Sequence, residues 1–297
     1  LARRPNDADV HGALSFIERR LGRFPESLAQ VHEAERLDPR NAIWPFFKGN
    51  LLTAAKRYPE ARAAYDRALE LAPGHGDSVA AKATTHHLEG DLESAAALIA
   101  TLPRPGPADE GIRDVLLTDY TLSRRYDLAL ALCADLQAKA AAMLESKRQI
   151  DSNFDIKMHF CIGEAHRLQG NEAAANAPYR RAIELAHARS DGTNESYLAG
   201  FLANAYAGLG DKAAALREAE RAIVLNQGDQ VISRGSRIRL ALIHARFGDG
   251  DAAIAILSAL EAEGEGVPPA MLRLSPGWDP IREDPRFRKL SGEEAPK

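Results

Sequence analysis

Histidine and cysteine side chains are the residues of this sequence best suited to metal chemistry, yet their spacing does not fit a metal site. The 297 residues include nine histidines and two cysteines. His86 and His87 are adjacent, so their side chains would diverge by about 100° on a helix. His159 and His166 would share a helix face but lie about 10 Å apart along it. Cys161 would lie on another face, and no CxxC or HExxH pattern occurs. We therefore expect neither a metal nor another cofactor.

Motifs for covalent catalysis or phosphate binding are also missing. The sequence contains no GxSxG motif, and its GN and GD pairs fit helix turns rather than a phosphate-binding loop after a strand. For Cys133 we favour a buried and unreactive thiol, because free cysteine is among the most buried residue types. The sequence therefore predicts a protein without enzymatic activity.

The composition indicates a helical protein. Hydrophobic residues make up 45% of the chain, charged residues 27% and aromatic residues 6%, and alanine is abundant, whereas the β-branched runs typical of strands are missing. The net charge of −4 gives no strong field for nucleic acid or an anionic membrane. No apolar run approaches the roughly 20 residues that span a bilayer, and two cysteines do not make a disulfide framework. We expect a cytoplasmic protein that binds neither nucleic acid directly nor membranes.

The stretch from residue 49 to residue 73 is the clearest structural pattern in the chain. Its sequence, GNLLTAAKRYPEARAAYDRALELAP, predicts two amphipathic helices joined by a tight turn. Small residues lie where the helices would touch, an aromatic residue fills the gap between them, and a proline ends the unit. These positions are Gly49, Ala61, Ala68, Tyr65 and Pro73. The combination resembles the tetratricopeptide repeat.

The same pattern recurs along the chain. Pro39, Pro73 and Pro107 are spaced by 34 residues, which is the tetratricopeptide period. The resemblance implies an all-α protein, an α-α superhelix of about seven helical hairpins whose first helices line a concave face. We assign hairpins 1–3 to residues 1–107, hairpins 4–7 to residues 108–264 and a capping segment with the tail to residues 265–297, all within one continuous solenoid. Bends are expected at 103–110, where prolines break the helix, and at 147–157.

The tail after the last hairpin has a different character. In VPPAMLRLSPGWDPIREDPRFRKLSG the prolines prevent a long helix before about residue 285. A terminal repeat must cover the exposed end of the core, so Trp278 and Phe287 are expected to plug that end. Acidic residues of the tail are expected to pair with its arginines. The acidic residues are Asp279, Glu283 and Asp284, and the arginines are Arg282, Arg286 and Arg288.

Part of this tail, LRLSPGWDPIREDPRF, resembles the closing segment of the tetratricopeptide regions found in large bacterial multidomain signalling proteins. In that family the region typically follows a class III nucleotide cyclase, a serine/threonine kinase or a winged-helix DNA-binding domain. The resemblance covers roughly residues 195–290, and Ser275 stands where the family usually carries Asp. It implies a sensory or scaffolding module attached to an effector. The chain begins with Leu1 rather than Met, so we expect it to be cut from a longer protein.

The tetratricopeptide resemblance also implies where a partner would bind. Arrays of this family hold extended peptides along the inner surface, on fixed positions of each first helix. In this register the candidate groove residues are Phe46, Asn50, Phe160, Glu164, Arg167, Tyr197, Asn204 and Arg246. Asn50 and Asn204 occupy the same repeat position, and an asparagine amide can hydrogen-bond a peptide backbone as both donor and acceptor.

Two sets of basic residues are interpreted differently. Chaperone-binding members of the family use a basic clamp for a terminal carboxylate, but Lys48 and Lys82 fall at a position that normally packs, so no such clamp is expected in the first three hairpins. Arg234, Arg237 and Arg239 form a local basic cluster, which we interpret as a solvated face, with an acidic partner as the alternative.

The leading hypothesis is a non-enzymatic protein–protein interaction scaffold that binds a peptide or protein partner in the concave groove. The alternative is a regulatory or sensory module of a larger bacterial signalling protein, acting on an effector domain of the same polypeptide that lies outside this sequence. Self-association through stacking of the N-terminal hairpin on a second copy is a third possibility.

Overall fold

The computed structural model describes residues 6–145, 153–189 and 195–293, which form helices and turns without a strand. The helices are α1 (Ala8–Arg20), α2 (Phe24–Leu37), α3 (Ile43–Ala54), α4 (Tyr58–Leu71), α5 (Gly76–Glu89), α6 (Leu92–Ile99), α7 (Glu110–Leu122), α8 (Tyr126–Glu145), α9 (Phe154–Leu168), α10 (Glu172–Ala188), α11 (Glu195–Gly208), α12 (Lys212–Leu225), α13 (Gln230–Arg246), α14 (Gly250–Ala262), α15 (Pro269–Leu274) and α16 (Pro285–Leu290). A 3₁₀ helix, Pro276–Ile281, lies between α15 and α16. Helices α1 to α14 pair in order into seven hairpins. The prediction of an all-α protein with about seven hairpins and a proline-rich cap is confirmed.

The helices fall into two compact units. The first contains the described residues up to Arg104 together with Gly228–Ile232, and the second contains the described residues of Pro105–Gln227 and from Ser233 onward. Hairpins α1–α2 to α5–α6 lie in the first unit, and the hairpins from α7 onward form the second. None of the helices in the described ranges is both long enough and apolar enough to cross a membrane.

Four hairpins turn from their first helix into their second with the same two-residue signal. A glycine with a φ between 75° and 86° closes the first helix, at Gly90, Gly170, Gly210 and Gly248. The Asp or Asn that follows accepts a hydrogen bond of 3.0–3.4 Å from the backbone N–H three residues later. Only glycine adopts the left-handed conformation without strain, and the side-chain oxygen satisfies a donor that the helix leaves unpaired. These four GN and GD pairs are therefore helix turns, as the sequence predicts, whereas Gly49 and Asn50 lie inside α3.

Each unit contains a buried tyrosine that faces a glycine across a hairpin. Tyr65 of α4 is 1% exposed, and a Cβ on Gly49 of α3 would lie 2.4 Å from its ring. Tyr179 of α10 is fully buried, and a Cβ would lie 2.7 Å from its ring on Gly163 and 2.4 Å on Gly208. Contacts below 3 Å are too short for carbon atoms, so these glycines are required by packing and not by backbone conformation.

The fourth hairpin differs in length from its neighbours. Helix α8 has 20 residues and continues to Glu145. Cys133 on this helix is completely buried in a core with Leu136, Phe154 and Met158, which confirms the prediction of a buried thiol.

The expected bend at 103–110 falls on the non-helical segment between α6 and α7. The other expected bend, 147–157, includes residues 147–152, which lie outside the described ranges.

The proline-rich tail folds as a cap on the last hairpin. Trp278 is 2% exposed and Phe287 is fully buried, with ring centroids 5.9 Å apart. Both pack against α13 and α14, where Ala241 and Leu257 belong to the same core, so the predicted plug is confirmed. Each of the three acidic residues of the tail forms an ion pair with one of its arginines, as expected. They are Arg282–Asp279, Arg286–Asp284 and Arg288–Glu283.

One further ion pair joins the cap to the start of the second unit. The two terminal nitrogens of Arg124, in the α7–α8 turn, donate to the two carboxylate oxygens of Asp279 over 2.9 and 3.0 Å. The two residues are 155 positions apart in the chain. Because a guanidinium fits a carboxylate with two parallel hydrogen bonds, this pair fixes both distance and orientation.

Candidate partner-binding pocket

The first helices of three hairpins in the second unit converge on one pocket of about 170 Å³. Helix α9 contributes Phe160, Glu164 and Arg167, α11 contributes Asn204, and α13 contributes Leu242 and Arg246. The cap closes one side with Pro276, Gly277 and Pro280. The register therefore places five of the eight candidate groove residues around the same cavity: Phe160, Glu164, Arg167, Asn204 and Arg246.

A network of charged side chains forms one wall of this pocket. Both carboxylate oxygens of Glu164 accept hydrogen bonds from Arg167, at 3.2 and 2.7 Å. The same carboxylate accepts from Arg246 at 3.1 Å and from the Tyr179 hydroxyl at 2.5 Å. Two guanidinium groups thus share one carboxylate, which leaves the wall with a formal charge of +1. Arg246 uses one nitrogen for this contact, although a guanidinium carries five N–H donors.

The surroundings of Glu164 shift its own ionisation and that of its tyrosine neighbour. Burial disfavours the Glu164 carboxylate, but the hydrogen bond and charge of Arg167 and the charge of Arg246 outweigh burial and lower the pKa of Glu164. Burial raises the pKa of Tyr179, and the negative charge of Glu164 raises it further. Tyr179 is therefore a neutral donor that holds Glu164 in place.

We expect Glu164→Gln to lower the free energy of unfolding by about 1–3 kcal/mol near pH 7, since two arginines lose a charged acceptor. The folded pKa lies below the ordinary value of 4.5, so the stabilisation is present above that value and lost as the pH falls through the folded pKa. Urea unfolding of wild type and variant, followed by circular dichroism, should show the difference shrinking toward pH 3. Glu184→Gln removes an exposed pair with Arg181 and should change little at either pH. An equal loss for Glu164→Gln at both pH values would contradict this assignment.

Asn204 offers the pocket an amide that is not used inside the protein. Its side chain is partly exposed, and no hydrogen bond joins it to another described residue. The residue fifteen positions later in the sequence is Ala219, which is fully buried and has no polar side chain to reach back. Both the donor and the acceptor of the Asn204 amide therefore remain available to a ligand.

Asn50, at the same repeat position in the first unit, is placed differently. Fifteen positions later stands Tyr65, whose hydroxyl donates to Asn50 Oδ1 at 2.8 Å. Burial raises the pKa of Tyr65 to about 12, so this hydroxyl remains a donor. Asn50 lines a separate pocket within the first unit, with Phe16 and Arg19 of α1 and Phe47 of α3 among the other residues. The two asparagines are therefore not equivalent.

The remaining candidates are packed against other aromatic rings. Phe46 is half-buried against Tyr65 and His75, at ring-centroid distances of 6.1 and 5.1 Å. The ring centroids of Tyr197 and Phe201 are 4.7 Å apart, and Lys157 Nζ lies 5.6 Å from the centroid of the Tyr197 ring. Phe46 and Tyr197 are absent from the lining of the second-unit pocket.

The basic cluster of α13 is not a solvated face, which corrects the interpretation made from the sequence. Arg234 donates to the backbone carbonyls of Glu265 and Gly266, and Arg237 forms an ion pair with Glu263. These two arginines therefore join α13 to the end of α14. Sequence spacing could not show this, since the acceptors lie 26 to 32 residues away.

Arg239 is the exception within this cluster. Its guanidinium lies against Gly200 of α11, where a Cβ would be 2.6 Å from Nη1. Burial lowers its pKa, and among the described residues it has neither an ion pair nor a hydrogen bond. Arg239, Leu242 and Arg246 are separated by three and four residues. This spacing places all three on one face of α13.

Metal ligands are not gathered in the described parts of the chain. No three His, Cys, Asp or Glu side chains lie together there in a way that could hold a metal ion. Cys133 and Cys161 are both free thiols. Burial and the neighbouring Cys133 thiol raise the pKa of Cys161.

Comparisons with known proteins agree with the helical-hairpin architecture. One tetratricopeptide-repeat family model matches residues 17–76 and 202–268, and a second matches residues 52–116. A solved structure titled "Crystal structure of APC/C hetero-tetramer Cut9-Hcn1" is similar to 90% of this chain at 15% identity, with a TM-score of 0.46. This chain covers 55% of that one, and the likeness says nothing of function. No curated protein matches the sequence. The two family models together match more than half of the chain. The chain therefore belongs to the tetratricopeptide-repeat family.

Proposed function

We propose that this chain is a non-enzymatic interaction scaffold that binds an extended segment of a partner protein in the second-unit pocket. Tetratricopeptide repeats support a role in protein–protein interaction. The observation that carries the choice of site is the unused amide of Asn204, beside the aromatic Phe160 and the charged wall of Glu164, Arg167 and Arg246. An amide of this kind can align a peptide backbone, while the aromatic ring contributes apolar contact.

The rigidity of the pocket favours this mechanism. Its walls come from helices of three different hairpins and from the cap, and Arg167, Tyr179 and Arg246 hold Glu164 from three sides. Because the site is already ordered, a partner segment alone loses conformational freedom when it binds. The expected ligand is therefore a short, extended and otherwise flexible stretch of protein.

We expect Phe160→Ala combined with Asn204→Ala to abolish capture of groove-dependent partners, since the variant loses both the ring and the amide. Quantitative mass spectrometry of proteins captured by tagged wild type and variant would measure this. Asn176→Ala, on the second helix of the hairpin that carries Phe160, is the matched control and should capture as the wild type does. Circular dichroism confirms that each variant folds. If every partner is captured equally by all three proteins, the groove assignment is wrong.

A second candidate function is regulation within a larger bacterial signalling protein. The resemblance of the segment LRLSPGWDPIREDPRF to the closing part of such proteins supports it. In this arrangement the array would act on a cyclase, kinase or DNA-binding domain of the same polypeptide, in the cytoplasm. The coding sequence upstream of Leu1 decides between the two, because the absence of any effector domain there would remove this candidate.

Self-association is supported by one observation in the first unit. Phe16 and Ile17 on α1 and Leu21 directly after it are 49%, 53% and 42% exposed, which leaves an apolar surface on the first hairpin. Stacking of this surface on a second copy would cover it. Light scattering at high protein concentration tests the idea, and a monomer under those conditions would eliminate it.

A further inference from the structure

The inner face of the second unit carries more positive than negative charge close to the pocket. Arg167 and Arg246 line the pocket with Glu164. Arg239 does not line it but lies beside Gly200, on the same face of α13 as Arg246, which brings the sum to three positive charges and one negative charge. Arg239 has no acceptor among the described residues, and Arg246 uses one nitrogen for Glu164. A partly buried guanidinium without an acceptor is less well solvated than one in water, and binding a carboxylate would relieve that cost.

The protein itself shows what kind of group fits beside these arginines. Glu164 lies between Arg167 and Arg246 and accepts from both, so a planar carboxylate already matches this geometry. The other walls, formed by Phe160, Leu242 and the cap prolines, are apolar. Apolar walls suit a peptide with carboxylate side chains better than a chain of phosphates.

The spacing of the two arginines on α13 sets the spacing of the ligand groups. Arg239 and Arg246 are seven residues apart on one face, which corresponds to about 10 Å along a helix. In an extended peptide of the polyproline II type, residues three positions apart lie on the same side of the chain and are separated by about the same distance, since each residue adds roughly 3.1 Å.

We propose that the second-unit groove is specific for acidic segments, with one Asp or Glu side chain bound by Arg246 and a second, three residues away, bound by Arg239. This inference rests on the proposed function and names the class of partner. It requires side-chain carboxylates within an extended stretch and not a free carboxyl terminus. Asn204, which lines the pocket with Arg246 and follows Gly200 by one turn of α11, would hold the peptide backbone.

Fluorescence anisotropy with short labelled peptides tests this proposal. The probes are acetylated, amidated peptides with two glutamates separated by two alanines, and matched peptides with glutamine at one or both positions. A further probe has both glutamines and a free carboxyl terminus. We expect each Glu-to-Gln change to weaken binding to the wild type about tenfold, and added salt to weaken binding of the Glu peptide. The free carboxyl terminus should not restore the binding that is lost when both glutamates are replaced by glutamine.

Protein variants assign each glutamate to its arginine. Arg239→Gln should remove the Glu-over-Gln preference at one peptide position, and Arg246→Gln at the other. Arg237→Gln removes the same charge from the same helix, but that side chain is paired with Glu263, so both preferences should remain. Arg239→Lys keeps the charge and should keep part of the preference, which guards against a folding defect in the glutamine variant.

The outcomes also separate this proposal from the proposed function. Equal binding of Glu and Gln peptides, or tighter binding of the free-carboxyl probe, would overturn the acidic-segment proposal. So would the lack of saturable binding by any of these peptides. In each case, partner capture that depends on Phe160 and Asn204 would still support the groove. If only Arg237→Gln abolished the preference for Glu over Gln peptides, the acidic site would lie elsewhere.

Discussion

Phe287→Ala is expected to lower the free energy of unfolding of the second unit by about 3–5 kcal/mol, which is typical of a fully buried phenylalanine. The side chain packs against Trp278 and the core between α13 and α14. Removing it opens a cavity at the end of the core, and α16 has only six residues with which to hold the cap in place. No other element among the described residues of the cap could fill that volume without moving.

The chain provides a convenient reporter for this measurement. Its two tryptophans are divided between the units, Trp44 in the first and Trp278 in the second. In a Trp44→Phe background, emission from Trp278 follows unfolding of the second unit in urea. Lys289→Ala, at an exposed site of the same helix, should change the free energy by less than about 0.5 kcal/mol. A loss below about 1 kcal/mol for Phe287→Ala would show that the cap does not stabilise the unit.

Gly163→Ala is expected to destabilise the second unit by about 1–3 kcal/mol, although alanine normally stabilises a helix relative to glycine. The new methyl group would lie 2.7 Å from the Tyr179 ring. That ring is fully buried and its hydroxyl is bonded to Glu164, so it cannot move without disturbing the charged wall of the pocket. The clash therefore outweighs the gain in helix propensity.

A second glycine gives a control of the opposite sign. Gly235 lies inside α13, and a Cβ there would meet nothing within 4 Å. Gly235→Ala should therefore stabilise the protein by about 0.5–1 kcal/mol. Combining Gly163→Ala with Tyr179→Ala should remove the penalty of the first substitution, because the methyl group then enters vacated space. Chemical denaturation of these three variants and of Tyr179→Ala alone measures both effects. If Gly163→Ala and Gly235→Ala have the same sign, the proposed clash does not occur.

The sequence is sufficient to predict the fold because the repeat pattern depends on local residues. Gly49 and Tyr65 are 16 residues apart, as are Gly163 and Tyr179, and both pairs pack as the repeat predicts. The cap was also predictable, since Trp278 and Phe287 are large apolar residues in a segment where prolines exclude a long helix. Each of these inferences needs only residues that are close in sequence.

The candidate site was only partly predictable. The repeat register placed Phe160, Asn204 and Arg246 on one side of three successive hairpins, and the structure brings them together. The register could not show that Tyr65 already donates to Asn50, or that Arg239 has no acceptor among the described residues. Such facts depend on which side chain lies opposite in the folded chain. One signal was present but missed: the residue fifteen positions after each asparagine is Tyr65 in one case and Ala219 in the other.

The pairing of Arg124 with Asp279 has a consequence for how the second unit unfolds. In an open repeat array each hairpin contacts only its neighbours, so end repeats can fray while the middle remains folded. Here a contact spanning 155 residues ties the turn between α7 and α8 to the 3₁₀ helix of the cap. Fraying of the C-terminal end must break this contact as well as the local packing, so unfolding becomes more cooperative than in a linear array. The exposed ion pair contributes at most about 1 kcal/mol, but it acts on every partially unfolded form that separates the two ends.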